Sequence, residues 1–138
     1  MYRKEIKKYA EEVKRQYESV RLKNKQKYSK FWDFPACVSI CYGTRKGIFA
    51  KGYSHMPNGT IWHPTLKKRL GNIGEIGFPT HLSPNILGKC AEQHSGNNYM
   101  KKAHENHLKN LYFSITIRPR TGQTIDSCNN CKAIFPNL

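Results

Sequence analysis

The chain has 138 residues, 38% of them hydrophobic and 12% aromatic, enough for one packed domain and too much for a disordered segment. Its 24 Lys/Arg against 9 Asp/Glu leave a net charge of +15, which points to a polyanionic partner, nucleic acid first. No apolar run reaches the length of a membrane span, no signal-peptide pattern opens the chain, and five cysteines are an odd number for a closed disulfide framework.

These totals predict a soluble monomer with no membrane partner, its cysteines reduced or holding a metal. Residues 1–30 carry 11 Lys/Arg and 4 Glu. Ile6, Tyr9, Val13, Tyr17 and Val20 recur at spacings of three and four, which predicts a helix with a narrow apolar stripe. Glu11–Arg15 and Glu18–Arg21 are spaced to pair along it. Lys23–Lys30 reads as a basic tether. Residues 1–30 thus form a basic N-terminal helix or arm, and 31–138 the compact domain. Two roles stay open for the arm: contact with phosphates, or a solvated helix packing one stripe on the core.

Phe31–Pro35 marks the start of the compact part. Residues 36–42 and 47–54 are rich in strand formers, and Gly43–Lys46 between them reads as a hairpin connection. Cys37 and Cys41 share one face of the first strand and read as core thiols, since this spacing is a poor chelate on a strand. Residues 55–78 read as loop, with a turn at Met56–Gly59 and a basic stretch at Leu66–Leu70 after His63-Pro64. Ser83-Pro84 predicts a helix start, running through Cys90 and Glu92 toward His104. Residues 111–118 are the clearest strand, 119–126 a connecting loop, and 127–131 the opening of a last helical turn.

Two short motifs carry chemistry: Cys90-Ala91-Glu92 and Cys128-Asn129-Asn130-Cys131. The second places two thiolates within reach of one ion. Cys90 as a third ligand makes a three-cysteine zinc (Zn2+) site whose fourth position is open to water, the catalytic arrangement. Zinc makes that water a nucleophile near neutral pH. Glu92, two residues past a ligand, can shuttle its proton without binding the metal. A structural zinc site with Cys37 or Cys41 as fourth ligand, or three unrelated buried thiols, are the competing readings.

Cys-Ala-Glu followed by Cys-x-x-Cys resembles the zinc-dependent nucleobase deaminases, whose signature is His/Cys-x-Glu and then Pro-Cys-x-x-Cys. The order of hairpin, His-Pro segment, Cys-Ala-Glu helix and late Cys-x-x-Cys is similar to that of bacterial polymorphic-toxin deaminases of the YwqJ type. The resemblance spans roughly residues 36–135. It implies an α/β fold: a cytidine deaminase-like three-layer sandwich, its short mixed sheet flanked by helices; with only seven residues after Cys131, the sheet is expected to be abbreviated at the C-terminus, a departure from the family. It implies Cys90, Cys128 and Cys131 as ligands and Glu92 as proton shuttle. It also implies cytosine as the base, and an interbacterial toxin delivered into a target cytoplasm, with an immunity protein as partner. Ser127 departs from the pattern, standing where the signature has Pro.

A flipped base needs a stacking face and amide or imidazole contacts, for which His55, Asn58, Trp62 and His94 are candidates; surface positions are the alternative for His94. Arg118 and Arg120, just after the strong strand, suit phosphates. The expected activity is therefore hydrolytic deamination of cytosine in nucleic acid, DNA before RNA. The alternatives are a non-enzymatic zinc module that binds nucleic acid, and a free cytidine deaminase, which the charge disfavours.

Overall fold

The computed structural model describes residues 2–24 and 35–138, and the side chains of all of these but 19–24. The side chains expected at Val20, at Arg21 of the Glu18–Arg21 pair and along the Lys23–Lys30 tether, together with Phe31–Phe34, lie outside the described residues. Among the described residues, four helices and five strands follow in the order α1 (Arg3–Asn24), β1 (Val38–Tyr42), β2 (Phe49–Tyr53), α2 (Pro64–Ile73), α3 (Ala91–Ala103), β3 (Tyr112–Phe113), β4 (Thr116–Arg118), β5 (Gln123–Ile125) and α4 (Asn129–Ile134). A short 3-10 turn, Leu108–Asn110, precedes β3.

The expected hairpin forms: β1 and β2 pair antiparallel from Val38–Tyr53 to Tyr42–Phe49. The sheet runs β2-β1-β4-β5, with β3 also paired to β1. Every pairing among the described residues is antiparallel, which corrects the mixed sheet expected from the resemblance. Strand alternation explains why helices cover both faces. Val38 and Ile40 point to one side, where they bury against Ile6, Ala10 and Val13 of α1 and Ile117 of β4. Cys41 points to the other, into a larger core with Leu66, Leu70, Tyr99, Met100, Ile134 and Phe135. The apolar stripe of α1 therefore packs on the sheet.

Three local expectations change. Residues 111–118 are two strands and not one, because the β1 partner register shifts by one residue between Cys41–Phe113 and Val38–Ile117. That is a bulge: Ser114 accepts the Ile40 N–H on its hydroxyl and returns its own N–H to the Ile40 carbonyl. Residues 64–73, expected as loop, form α2. Pro64 sits in its first turn, the His63 ring accepts the Thr65 N–H, and Leu66, Leu70 and Ile73 are buried at helical spacing. The loop expected over 119–126 contains β5, which turns back on β4 through Gly122.

The helix expected from Ser83 starts only at Ala91, with Cys90 as its N-cap. The Ser83 hydroxyl instead accepts the Asn85 N–H in a local turn. Gly88 then takes a positive φ of 91°, and a Cβ there would press on Pro57 and Ile76. The segment before Cys90 is thus an irregular loop, wedged in place.

Candidate metal centre and its pocket

Helix α3 carries a polar sequence yet is buried: every residue from Ala91 to Asn97 is buried. Gly52 makes this possible, since α3 lies so close to β2 that a Cβ at Gly52 would strike the Ser95 backbone. The burial delivers the first turn of α3 to the end of the sheet where β1 begins and β2 finishes, beside β4 and β5. A pocket of about 400 Å³ opens there, lined among others by Cys37, Asn85, Lys89, Cys90, Glu92, Thr116, Arg118 and Cys128.

Cys90, Cys128 and Cys131 come together at this pocket, their sulfurs all within 4.8 Å of one another, and can hold a metal ion. The Cys90–Cys128 sulfurs are 3.4 Å apart and the Cys128–Cys131 sulfurs 3.7 Å. A tetrahedral ion with metal–sulfur bonds of ~2.3 Å would set its ligand sulfurs ~3.8 Å apart, so the spacing needs little adjustment. Three thiols in contact do not ionise together. Hydrogen bonding with Cys131 and Cys90 pulls the Cys128 thiol far down, and the contact with Cys128 pushes Cys131 and Cys90 up, helped by burial. A cation held there would displace the thiol protons and favour the thiolate form of all three. Cys37 and Cys41 stand outside it. Cys41 is a buried core residue as expected, whereas Cys37 lines the pocket, its thiol raised to about 11, first by burial and then by Glu92.

Glu92 is 4% exposed and lines the same pocket. Burial raises its carboxyl above the ordinary range, while hydrogen bonds from the Ser127 and Thr116 hydroxyls oppose the rise. Ser127, where the sequence departs from the deaminase signature, is therefore a partner of the carboxylate.

Several residues unmarked by the sequence complete the site. Gln93 is fully buried; its oxygen accepts the Gly88 N–H at 2.6 Å and its nitrogen donates to the Cys131 sulfur at 3.4 Å. Asn130 is also fully buried, accepting from Thr80 and donating to the Asn85 carbonyl at 3.0 Å. The only advance signal was a dense polar run on one helix, Glu92 to Asn98, next to a candidate ligand. Burial of that run is a tertiary fact.

Of the expected binding residues, Arg118 reaches the pocket lining, and His55, Asn58, Trp62, His94 and Arg120 are not among its lining residues. His94 is buried, its Nε2 hydrogen-bonded to the His55 carbonyl at 3.0 Å. Its ring stacks on His55 with centroids 3.7 Å apart and meets Trp62 at 5.3 Å. Burial, with a smaller contribution from His55, lowers its pKa to about 4. His55, Trp62 and His94 thus pack on one another beside the pocket. Asn58 is exposed in the turn closed by the Thr60 N–H to Pro57 carbonyl bond. Arg120 lies in the β4–β5 connection.

Compared with protein-family models, curated proteins and solved structures, the chain has no match. The site is therefore defined by its own geometry: a three-cysteine cluster able to hold a metal, on a mixed α/β fold with an open antiparallel sheet. Among the described residues no helix is long and apolar enough to cross a membrane.

Proposed function

We propose that this chain is a zinc-dependent deaminase that converts cytosine to uracil in nucleic acid, DNA before RNA, on a cytidine deaminase-like sandwich. The observation that carries the reading is the placement of Glu92. A buried carboxylate lines the same pocket as two of three clustered cysteines, and two hydroxyls orient it. A purely structural metal site has no use for such a group. Three soft donors at these separations suit zinc.

Zinc held by Cys90, Cys128 and Cys131 supplies Lewis acidity, which makes water a nucleophile near neutral pH. Glu92 takes a proton from the attacking water and delivers protons to the base and its departing amine. A C–O bond forms at the amine-bearing carbon, the C–N bond breaks, and ammonia leaves. Burial suits Glu92 to this task, since it keeps the carboxylate basic enough to accept a proton. Lys89 and Arg118 on the pocket lining supply positive charge for the flanking phosphates. The net charge of +15 favours a polymer over a free nucleoside. In the resemblance to toxin deaminases this attack is mutagenic and an immunity protein restrains it.

A second reading has one observation behind it: Cys37 lines the same pocket and would close a four-sulfur, non-catalytic zinc site in a nucleic-acid-binding module. The test is conversion. Zinc-loaded wild type and Glu92→Ala are incubated with single-stranded DNA, double-stranded DNA and RNA, and products are sequenced for cytosine changes. Conversion by the wild type alone is expected. No conversion on any substrate overturns the enzyme, and conversion by Glu92→Ala overturns the mechanism.

A further inference from the structure

We infer that Asn130 is a positioning residue through which the metal centre sets one wall of the pocket, so that metal binding and the shape of that wall are coupled. The inference rests on the metal-site part of the reading above and holds whichever base enters the pocket. The wall is residues 77–89, which supply Pro84, Asn85, Ile86 and Lys89 to the pocket lining. It folds back on itself as an irregular hairpin. The Gly77 N–H donates to the Leu87 carbonyl, the Leu87 N–H to the Phe78 carbonyl, and Pro79 bridges to Ile86. Leu87 is fully buried, but Leu82 and Ile86 are half-buried and Phe78 is 55% exposed. Apolar packing therefore holds this wall weakly, and polar bonds decide where it stands.

Those bonds come from the residues around the cysteines. Asn130, between Cys128 and Cys131, is fully buried and uses both ends of its amide on the wall. Its oxygen accepts from the Thr80 hydroxyl, and its nitrogen donates to the Asn85 carbonyl at 3.0 Å. Asn129 donates to the Leu82 carbonyl at 3.2 Å. Gln93 holds the far end, accepting the Gly88 N–H at 2.6 Å while donating to the Cys131 sulfur at 3.4 Å.

Asn130 and Asn85 are 45 residues apart, so chain connectivity does not place the wall against α4. Moving the wall away would strand a buried amide, which is costly. An ion shared by Cys128 and Cys131 fixes the turn between them, and with it Asn129 and Asn130. Metal binding thus orders the wall. By linkage, a wall held in place strengthens metal binding by the same factor.

The test follows amide hydrogen exchange in the full chain, zinc-loaded and chelated, for wild type, Asn130→Ala and Thr80→Val. Thr80 lies outside the cysteine cluster, and its replacement by Val removes the hydroxyl that Asn130 accepts from; this variant decides the matter if Asn130→Ala does not fold. In wild type, zinc is expected to slow exchange over residues 80–88 by about tenfold or more. In both variants that slowing is lost over 80–86 and kept at Gly88, which Gln93 holds. Thr80→Val is also expected to bind zinc about fivefold more weakly in competition with a chromophoric chelator. A zinc-binding wild type whose wall exchanges alike with and without zinc overturns the inference. So does zinc-dependent slowing that survives over 80–86 in Thr80→Val. Protection lowered equally in loaded and chelated Asn130→Ala would make Asn130 merely structural, and overturns it too. The deaminase reading is tested apart from this: a wild type that shows the coupling but converts no cytosine sinks that reading and leaves the coupling standing.

Discussion

Gln93 offers the sharpest mutational test of how the cysteine cluster is held. Replacing it with Leu keeps the volume and removes two bonds at once: the amide donor to the Cys131 sulfur and the acceptor for the Gly88 N–H. Loss of an outer-shell partner of a ligand costs ~10–100-fold in metal affinity, or ~1.4–2.7 kcal/mol. The stranded Gly88 N–H, buried in a loop whose shape is wedged by Pro57 and Ile76, costs about 1–3 kcal/mol of folding free energy in addition. Gln93→Glu separates the two effects, because a carboxylate still accepts from Gly88 but has no donor for sulfur. Zinc affinity is measured by competition with a chromophoric chelator, and ligand geometry by the thiolate-to-cobalt charge-transfer band. Both variants are expected to bind zinc at least tenfold more weakly, with the Leu variant also less stable. A Leu variant within twofold of wild type in affinity, with an unaltered cobalt band, refutes the reasoning.

Gly52→Ala would drive a Cβ into the Ser95 backbone, and backbone cannot rotate away, so unfolding free energy is expected to fall by about 2 kcal/mol or more in thermal melts. Tyr9 has its phenol raised to about 12, first by burial and then by Tyr53. The folded state holds that proton more tightly than the unfolded chain, so the associated stability is intact below pH 10 and lost as pH rises toward 12. Tyr9→Phe is expected to flatten that alkaline limb in denaturant titrations across this range. Arg118→Ala is expected to weaken polynucleotide binding similarly across sequences and to reduce the salt slope of log K by about one, measured by fluorescence anisotropy.

The readable parts of this chain were those in which local pattern and tertiary role agree. The β1–β2 hairpin shows in two strand-forming runs around a Gly-initiated turn, and α1 in Ile6, Tyr9 and Val13. The two cysteine motifs were legible because a shared ion would constrain their spacing. What escaped depends on partners distant in sequence. Helix α2 was hidden by Lys67, Lys68 and Arg69, which masked the Leu66, Leu70, Ile73 spacing, and by an N-cap supplied by His63. The bulge at Ser114 exists only because Ile40 lies opposite. Ser83-Pro84 imitates a helix start, but Gly88 at positive φ delays the helix to Ala91. His94 looked available to a ligand and is instead packed against His55 and Trp62, a contact made by a loop with no periodic signal. Gln93 and Asn130 gained meaning only when their helices brought them to Cys131 and Asn85.

The open coordination position is the claim on which the catalytic reading stands. X-ray absorption at the zinc edge of the zinc-loaded protein measures it by counting sulfur neighbours. The expected result is three sulfurs, from Cys90, Cys128 and Cys131, plus one light atom. Four sulfurs, reduced to three in Cys37→Ser, would contradict it and show a closed structural site.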